Sequence, residues 1–419
     1  MTSAIVGNDL FTADSGTDAD ATIPAGTDAP RAPRERIRWR MTAEARALLL
    51  LTAILLAFGL AVLYSASVIA ALQEHRAGSY YMLRQGAGVL AGIVVFAVAA
   101  KTDAERWQKW AWPLMGLALA TMLLVILPFT ERWAPRVLGS RRFLIGSALQ
   151  PSEFAKLAVV LWTAMLIVKK GDTLRRLTKG LFPFLVVIGA LDLFAILEPD
   201  LSAAMMFTLV MGVVLFAGGV RIGHIVALTM LAMPLLWHEM QRLTYVLNRL
   251  VVFFDPGKGL DRVNYQLKQS LIAVGSGGLF GVGFGEGRQQ LGYLPLAFND
   301  FIAGSIGEEW GFVGIAGITL AFAFWGWLGF RIARSARTPF LQLTAIGLTF
   351  TIVLTAFLHI GVAIGLLPTT GLTLPFISYG RSNLIFSLLM TGILVNIGSS
   401  RERVIGEHEA VIAPRSTAA

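Results

Sequence analysis

The stretch LPLAFNDFIAGSIGEEWGFVGIAGITLAFAFWGWLGF, residues 294–330, decides the fold. From Phe301 to Phe330 its only charges are Glu308 and Glu309, and its apolar residues run on without the alternation of a strand. A helix crosses the hydrocarbon core of a bilayer with about 20 apolar residues, and within lipid only a helix or a closed barrel satisfies its own backbone. Continuous runs exclude the barrel. Similar runs lie near 47–70, 82–100, 110–129, 153–168, 181–197, 200–218, 222–238, 340–364 and 384–399, which predicts an all-α polytopic membrane protein of ten spans.

Composition agrees with this reading. Over 419 residues, 55% are hydrophobic and only 15% charged, with a mean hydropathy of +0.67. A soluble chain has about 45–50% and 25%, so soluble enzyme classes are excluded. There is no cysteine, hence no disulfide, thiolate metal site or cysteine nucleophile. The net charge of +9 calls for a bilayer explanation before a nucleic-acid partner is invoked, and none is expected.

The positive charges orient the spans. Arg31, Arg34, Arg36, Arg38, Arg40 and Arg46 precede the first run, and Lys101, Arg106, Lys109, Lys169, Lys170, Arg175, Arg176, Lys179, Arg221, Arg331, Arg334, Arg337, Arg401 and Arg403 occupy alternate loops on the same side. The positive-inside rule then gives N-in and C-in, with a long external loop between spans seven and eight. Residues 1–30 carry five Asp and no Lys or Arg, so the expected organisation is a disordered acidic, then basic, cytoplasmic tail over 1–46, a ten-span domain over 47–399 and a cytoplasmic tail over 400–419. Two external segments oppose the rule: Arg132, Arg136, Arg141 and Arg142, and then Arg242, Arg249, Lys258, Arg262, Lys268 and Arg288 within 239–300. They bind lipid headgroups, or they attract an anionic substrate whose phosphates suit planar guanidinium donors.

Ionisable groups inside apolar runs need a reason, because one at the bilayer centre costs at least about 2.5–3.5 kcal/mol. Glu153 and Lys156 share a helix face at i, i+3 after Pro151, as either a structural or a functional ion pair. Glu198 and Asp200 flank Pro199, where capping is the simpler explanation. Asp300 ends the long external segment and is the strongest candidate for a general base, the alternative being a helix cap. On a helix Glu308 would lie about 12 Å along the axis and about 80° around from it, able to share a cavity but not a hydrogen bond, with Glu309 pointing away. The glycines of 275–287 lack the surroundings of a nucleotide loop and suggest a hinge or a close backbone approach to a ligand. The five histidines show no metal-ligand spacing, and His359 reads as a packing residue.

Seven strings occur in order: YSAS (Tyr64–Ser67), GSRRFL (Gly139–Leu144), QPSEFAKL (Gln150–Leu157), PDLSAA (Pro199–Ala204), YQLKQSLIAVGSGGLFGVGFGEGRQ (Tyr265–Gln289), DFI with GEEWGFVG, and LLPTTGLTLPFISYGRSNL (Leu366–Leu384). Together they resemble the SEDS family (shape, elongation, division and sporulation), from about residue 47 to 399. The resemblance implies a peptidoglycan glycosyltransferase that polymerises lipid II on the outer face of the bacterial cytoplasmic membrane. Its catalytic aspartate falls on Asp300, and its motif residues on Glu153, Lys156 and Arg142. Arg141, Gln266, Gln289 and Ser378 join these as expected substrate-binding residues, with Asp200, Glu308 and Glu309 in support. No organic cofactor is expected; a divalent cation, Mg or Mn, could assist. The implied partners are lipid II, a class B penicillin-binding protein transpeptidase and other division proteins. The N-terminal tail, YSAS and PFISYGRSN look more like division members, sited at the septum, than elongation members. A flippase without chemistry, or a scaffold, is the competing class. Several positions depart from the pattern: Leu296, Phe298 and Asn299 stand where the family often has Glu, His and Thr, Arg381 where SYGGSS has glycine, and His359 where Asn is usual.

Overall fold

The computed structural model describes residues 36–130, 141–144, 149–175, 180–221, 223, 224, 226, 230, 253 and 261–404. Arg31, Arg34, Arg132, Arg136, Arg176, Lys179, Arg242, Arg249, Lys258, most of the expected seventh span and the far parts of both tails lie outside them.

Ten long helices stand among the described residues. They are α1 (Ala43–Gln73), α2 (Tyr80–Lys101), α3 (Arg106–Ile126), α4 (Pro151–Lys170), α5 (Phe182–Leu197), α6 (Leu201–Ala217), α7 (Asp261–Gly277), α8 (Ile302–Arg334), α9 (Pro339–Ala363) and α10 (Arg381–Ile397). Six of them, α1 to α4, α8 and α9, are long and apolar enough to cross a membrane, and α5, α6 and α10 are shorter apolar helices. The protein is therefore a polytopic all-α membrane protein. All the helices belong to one compact unit, Trp39–Arg401. The second unit is described only at 36–38 and 402–404, which are strand residues.

Local sequence explains the ends. Thr42, Asp200 and Thr338 cap α1, α6 and α9 by accepting the N–H of Ala45, Ala203 and Leu341. Pro151 and Pro339 stand at the first turns of α4 and α9, where a missing N–H costs nothing. The central helix is α4: 89% of its apolar window is buried, against 28% for α2 and α3, whose outer faces carry exposed Leu90, Val94 and Leu117. Small residues let α2 and α10 approach closely: a Cβ on Gly392 would lie 2.7 Å from the Phe96 carbonyl oxygen, and one on Gly92 2.5 Å from Leu388 Cδ1.

Two segments differ from the sequence expectation. Arg36–Met41 (β1) and Ser399–Val404 (β2) pair as a two-stranded ribbon, so the basic segment before α1 is structured from Arg36 onward. The long external segment is also ordered in its second half, because 261–277 is a helix packed on α8 and α9.

The glycine-rich segment after α7 has its own backbone task. At 33 residues α8 is about 50 Å long, exceeding a hydrocarbon core of about 30 Å, and Gly311 breaks it with φ 64° and ψ −158°. The two i to i+4 bonds that would span the break are exchanged for four bonds to residues 278–283. The N–H groups of Val282 and Gly283 donate to the carbonyls of Glu308 and Glu309 at 3.0 and 3.1 Å. Those of Phe312 and Val313 donate to the carbonyls of Gly278 and Leu279 at 2.9 and 3.1 Å. Only glycine admits this approach: a Cβ on Gly281 would lie 2.1 Å from the Glu309 carbonyl oxygen, and one on Gly277 1.9 Å from that of Gly307. The sequence suggests a hinge or a close backbone approach to a ligand; the approach these glycines make is to the backbone of α8.

Gly281→Ala should destabilise the detergent-solubilised protein by at least the 1–3 kcal/mol typical of overpacking, roughly, since both the clash and a φ of +84° oppose it. Gly116→Ala, with nothing within 4 Å, is the control and should leave the thermal midpoint unchanged or raise it. Equal midpoints for Gly281→Ala and wild type would show that 278–283 does not hold the break.

Candidate active site

The site is assembled by the segment between α9 and α10, residues 364–380. His359, buried in α9, places Nδ1 2.7 Å from the Leu372 carbonyl oxygen and so fixes this segment from below. From there it meets the turn before α8 and the start of α6. The Ser378 hydroxyl donates to the Asn299 carbonyl at 2.8 Å and accepts the Leu374 N–H at 2.9 Å. The Tyr379 N–H donates to the Phe298 carbonyl at 3.0 Å. Ser202, near the start of α6, donates its hydroxyl to the Thr370 carbonyl.

These contacts place Asp300. It is half-buried, in the turn before α8, and the α8 cap position is Phe301, so Asp300 is not the cap residue. Its Oδ2 lies 3.8 Å from where a Cβ on the exposed Gly371 would be. Phe298, in the family's histidine position, is buried against Tyr81 and Tyr379 with ring centroids 4.5 and 5.8 Å away. An aromatic wedge therefore replaces a polar neighbour beside the carboxylate.

Arg142 reaches the same segment through the α5–α6 turn. Its Nε donates to the Glu198 carbonyl at 3.3 Å and its Nη2 to the Pro199 carbonyl, three residues before Ser202. Arg141 turns the other way, donating from Nη1 to the Leu127 carbonyl at 3.2 Å. Asp200 caps α6, the simpler of its two readings, with Oδ1 3.1 Å from the Ala203 nitrogen. Glu198 is buried, one carboxyl oxygen has no hydrogen-bond partner, and burial, with Asp200 adding to it against Arg142, pushes its pKa up to about 9.

Other expected members are not brought to Asp300. Lys156 and Glu153 pair at 2.8 Å with side chains only 4% and 10% exposed, so the ammonium is neutralised inside the bundle and does not face an external ligand. Glu308 does not share a cavity with Asp300: its Oε1 accepts the N–H groups of Arg288 and Gln289 at 2.8 and 3.2 Å, because 288–289 folds back over α8. Glu309 points away, as the helix geometry requires, and accepts the Ser65 hydroxyl from α1. Gln289 is held by that backbone contact and Gln266 is half-buried on α7. Among the described residues no group of three or more His, Asp or Glu could hold a metal ion, so the Mg or Mn expectation finds no protein ligand set there.

Sequence reading missed Gln85 and Asp192. Gln85, on α2, donates to the Ser378 carbonyl at 3.0 Å and accepts the Gly380 N–H at 3.2 Å, bracketing the segment, and a lone glutamine in an apolar run was its signal. Asp192, within α5, accepts the Thr208 hydroxyl of α6 at 2.7 Å.

Two outcomes test this electrostatic layout. Glu153→Gln strands a buried ammonium and should cost about 3–5 kcal/mol, whereas Glu153→Gln with Lys156→Met should recover much of that loss in thermal midpoint. If both variants melt together, the ion pair is not what the bundle depends on. For Glu198, a folded pKa near 9 above an unfolded value of 4.5 means that the folded state binds the proton more tightly. Its stabilising effect is complete below pH 4.5 and is lost as pH rises to about 9. Glu198→Gln should flatten that decline in midpoint against pH; parallel curves would contradict the assignment.

Comparison with known proteins follows the same outline. The FtsW/RodA/SpoVE family profile, described as a cell cycle protein, matches residues 46–403. A probable peptidoglycan glycosyltransferase FtsW of Trichlorobacter lovleyi is 38% identical over 354 residues, 84% of this chain and 92% of its own. Stage V sporulation protein E of Bacillus subtilis is 32% identical over 352 residues, covering 84% and 95%. A chain from a peptidoglycan synthase complex, described as coordinating polymerization and crosslinking, shares the fold at TM-score 0.69 and 24% identity over 84% of this chain and 97% of that one. The rod shape determining protein RodA of Thermus thermophilus does so at 0.58 and 23%, over 84% and 95%. With the profile spanning nearly all the helices and relatives above 30% identity along most of their length, the chain belongs to the FtsW/RodA/SpoVE family of cell cycle proteins.

Proposed function

We propose that this protein is a peptidoglycan glycosyltransferase of the division type, polymerising lipid II at the outer face of the bacterial cytoplasmic membrane. Relatives named as probable peptidoglycan glycosyltransferases FtsW support the activity and the division role. Ten spans with both ends in the cytoplasm fit the pairing of β1 with β2, which brings the chain on either side of the helices together, as an even number of crossings requires. The structural likeness to a chain of a peptidoglycan synthase complex supports a class B penicillin-binding protein as partner, and the FtsW-like relatives support the reading that the protein acts at the septum with other division proteins.

One observation carries the mechanism: Asp300 stands, half-buried, in a turn whose Phe298 and Asn299 carbonyls are held by Tyr379 and Ser378, with Phe301 as the cap position of α8. The anchored turn sets the carboxylate beside Gly371. In the reaction, Asp300 takes the proton of the 4-hydroxyl of a terminal N-acetylglucosamine. That oxygen attacks the anomeric carbon of the N-acetylmuramic acid on a second chain, with inversion. The bond from that carbon to the diphosphate breaks, and undecaprenyl diphosphate leaves carrying the electron pair. The developing charge is assigned to Arg142, whose bond to the Pro199 carbonyl, beside the Ser202–Thr370 contact, supports that role. No step is routed through a cation, and Glu153 with Lys156 acts by setting the start of α4 against α10, where the Gln150 N–H donates to the Ser382 hydroxyl at 2.8 Å.

Positioned general bases contribute about 10²–10⁴-fold. Asp300→Asn should therefore lower the rate of glycan formation from lipid II in detergent by at least about 100-fold, with an unchanged thermal midpoint. Detergent removes the two-sided membrane, so polymer formed there by the wild type also separates an enzyme from a flippase. Wild-type polymer yield from Asp300→Asn would remove this carboxylate from the chemistry.

A further inference from the structure

On the side of 364–380 away from Arg142, a second group of cations surrounds two tyrosines. Tyr80 opens α2, with the guanidinium carbons of Arg76 and Arg84 at 4.3 and 5.4 Å from its ring centroid. Arg84 Nη1 donates to the Tyr80 hydroxyl at 2.6 Å. Arg381 begins α10 and lies across Gly88, one turn beyond Arg84 on the same face of α2, where a Cβ would be 3.2 Å from its Cγ. Tyr379 lies beside them: burial raises its hydroxyl above the usual phenol range, while Arg84, Arg381 and Arg76 pull it down.

The charges of this group do not cancel. Glu74 is held by Arg76 at 3.3 Å and accepts the Tyr81 hydroxyl at 2.6 Å. Among the described residues neither Arg84 nor Arg381 forms an ion pair. Arg84 at Tyr80 and Arg381 at Gly88, one turn apart along α2, are both half-buried and both act on Tyr379; an anion bridging two such guanidiniums turns their repulsion into charge-assisted hydrogen bonding. The Tyr80 ring beneath Arg76 and Arg84 holds those two guanidiniums in place.

The group is also tied to the proposed base. Gln85, next to Arg84, brackets Ser378 and Gly380, and the Tyr379 N–H donates to the carbonyl of Phe298, two residues before Asp300. Asp300 thus has Arg142 reached through Gly371, Thr370 and Ser202 in one direction, and Arg84 with Arg381 reached through Phe298 and Tyr379 in the other. Joining two lipid-linked sugars brings two diphosphates together, of which one leaves and one stays. We infer that Arg84 and Arg381, supported by Arg76, Tyr80 and Tyr379, form a second diphosphate subsite that holds the lipid headgroup of one substrate chain while the Arg142 side holds the other. The inference rests on the glycosyltransferase reading. Arg381, where the family pattern has glycine, makes the subsite a feature of this chain.

Binding, which needs no turnover, tests it. Native mass spectrometry of the purified full-length protein titrated with undecaprenyl diphosphate should show two lipids bound per wild-type chain and per Asp300→Asn chain. Arg84→Gln with Arg381→Gln should hold one, its second binding step weakened by at least about tenfold. Arg84→Lys with Arg381→Lys keeps the charge and should retain most of the second step. Phosphatidylglycerol at the same concentration should not displace the second lipid; if it does so as well as undecaprenyl diphosphate, the site takes phospholipid headgroups and the inference fails. It also fails if the double glutamine variant binds two lipids like the wild type. Arg381→Gly, the family residue, gives the same readout should the double variant melt early. Wild-type polymerisation by Asp300→Asn with intact two-lipid binding would instead count against the base assignment alone, and two-lipid binding by a wild type that forms no polymer against the glycosyltransferase reading alone.

Discussion

In lipid, a backbone amide or carbonyl that leaves a helix must find another partner, and the exchange at Gly311 meets that constraint directly. The break gives up helical bonds between Glu308, Glu309, Phe312 and Val313, and residues 278–283 supply replacements for all four groups. The part of α8 before the break and residues 278–283 are then held to the longer part after it. Glu308 extends the same anchorage by binding the N–H groups of Arg288 and Gln289, so the chain from 278 to 289 is held at both ends of the broken turn. The turn that carries Asp300 lies between this anchorage and the start of α8.

The segment 364–380 performs the complementary task from the other side. It contacts residues before α8 through Ser378 and Tyr379, α2 through Gln85, α6 through Ser202 and α9 through His359. Most of these bonds use backbone carbonyls or amides, so they set position without demanding a particular charge. The charged groups near this segment are the ones to which the proposed chemistry is assigned: the Asp300 carboxylate, with guanidiniums reached in two directions. The ion pair in α4 belongs to a different class, because a buried ammonium matched within one helix turn is neutral toward its surroundings.

The sequence by itself determined that this is a helical membrane protein, where most of its helices begin, and which carboxylate stands at the edge of an apolar run. Those properties are local: hydropathy, caps and proline positions act within one segment and need no distant partner. It also carried the glycines of 275–287 as marks of an unusual backbone, without saying what approached them. Only the tertiary structure decided that the approaching backbone was α8, that the Glu153–Lys156 pair is buried inside the bundle, that Glu308 serves residues 288–289, and that Arg381 lies on α2 at Gly88. Each of these joins residues far apart in sequence or chooses between two faces of a helix. Side-chain spacing along one helix cannot fix that choice; the packing of the other helices around it does.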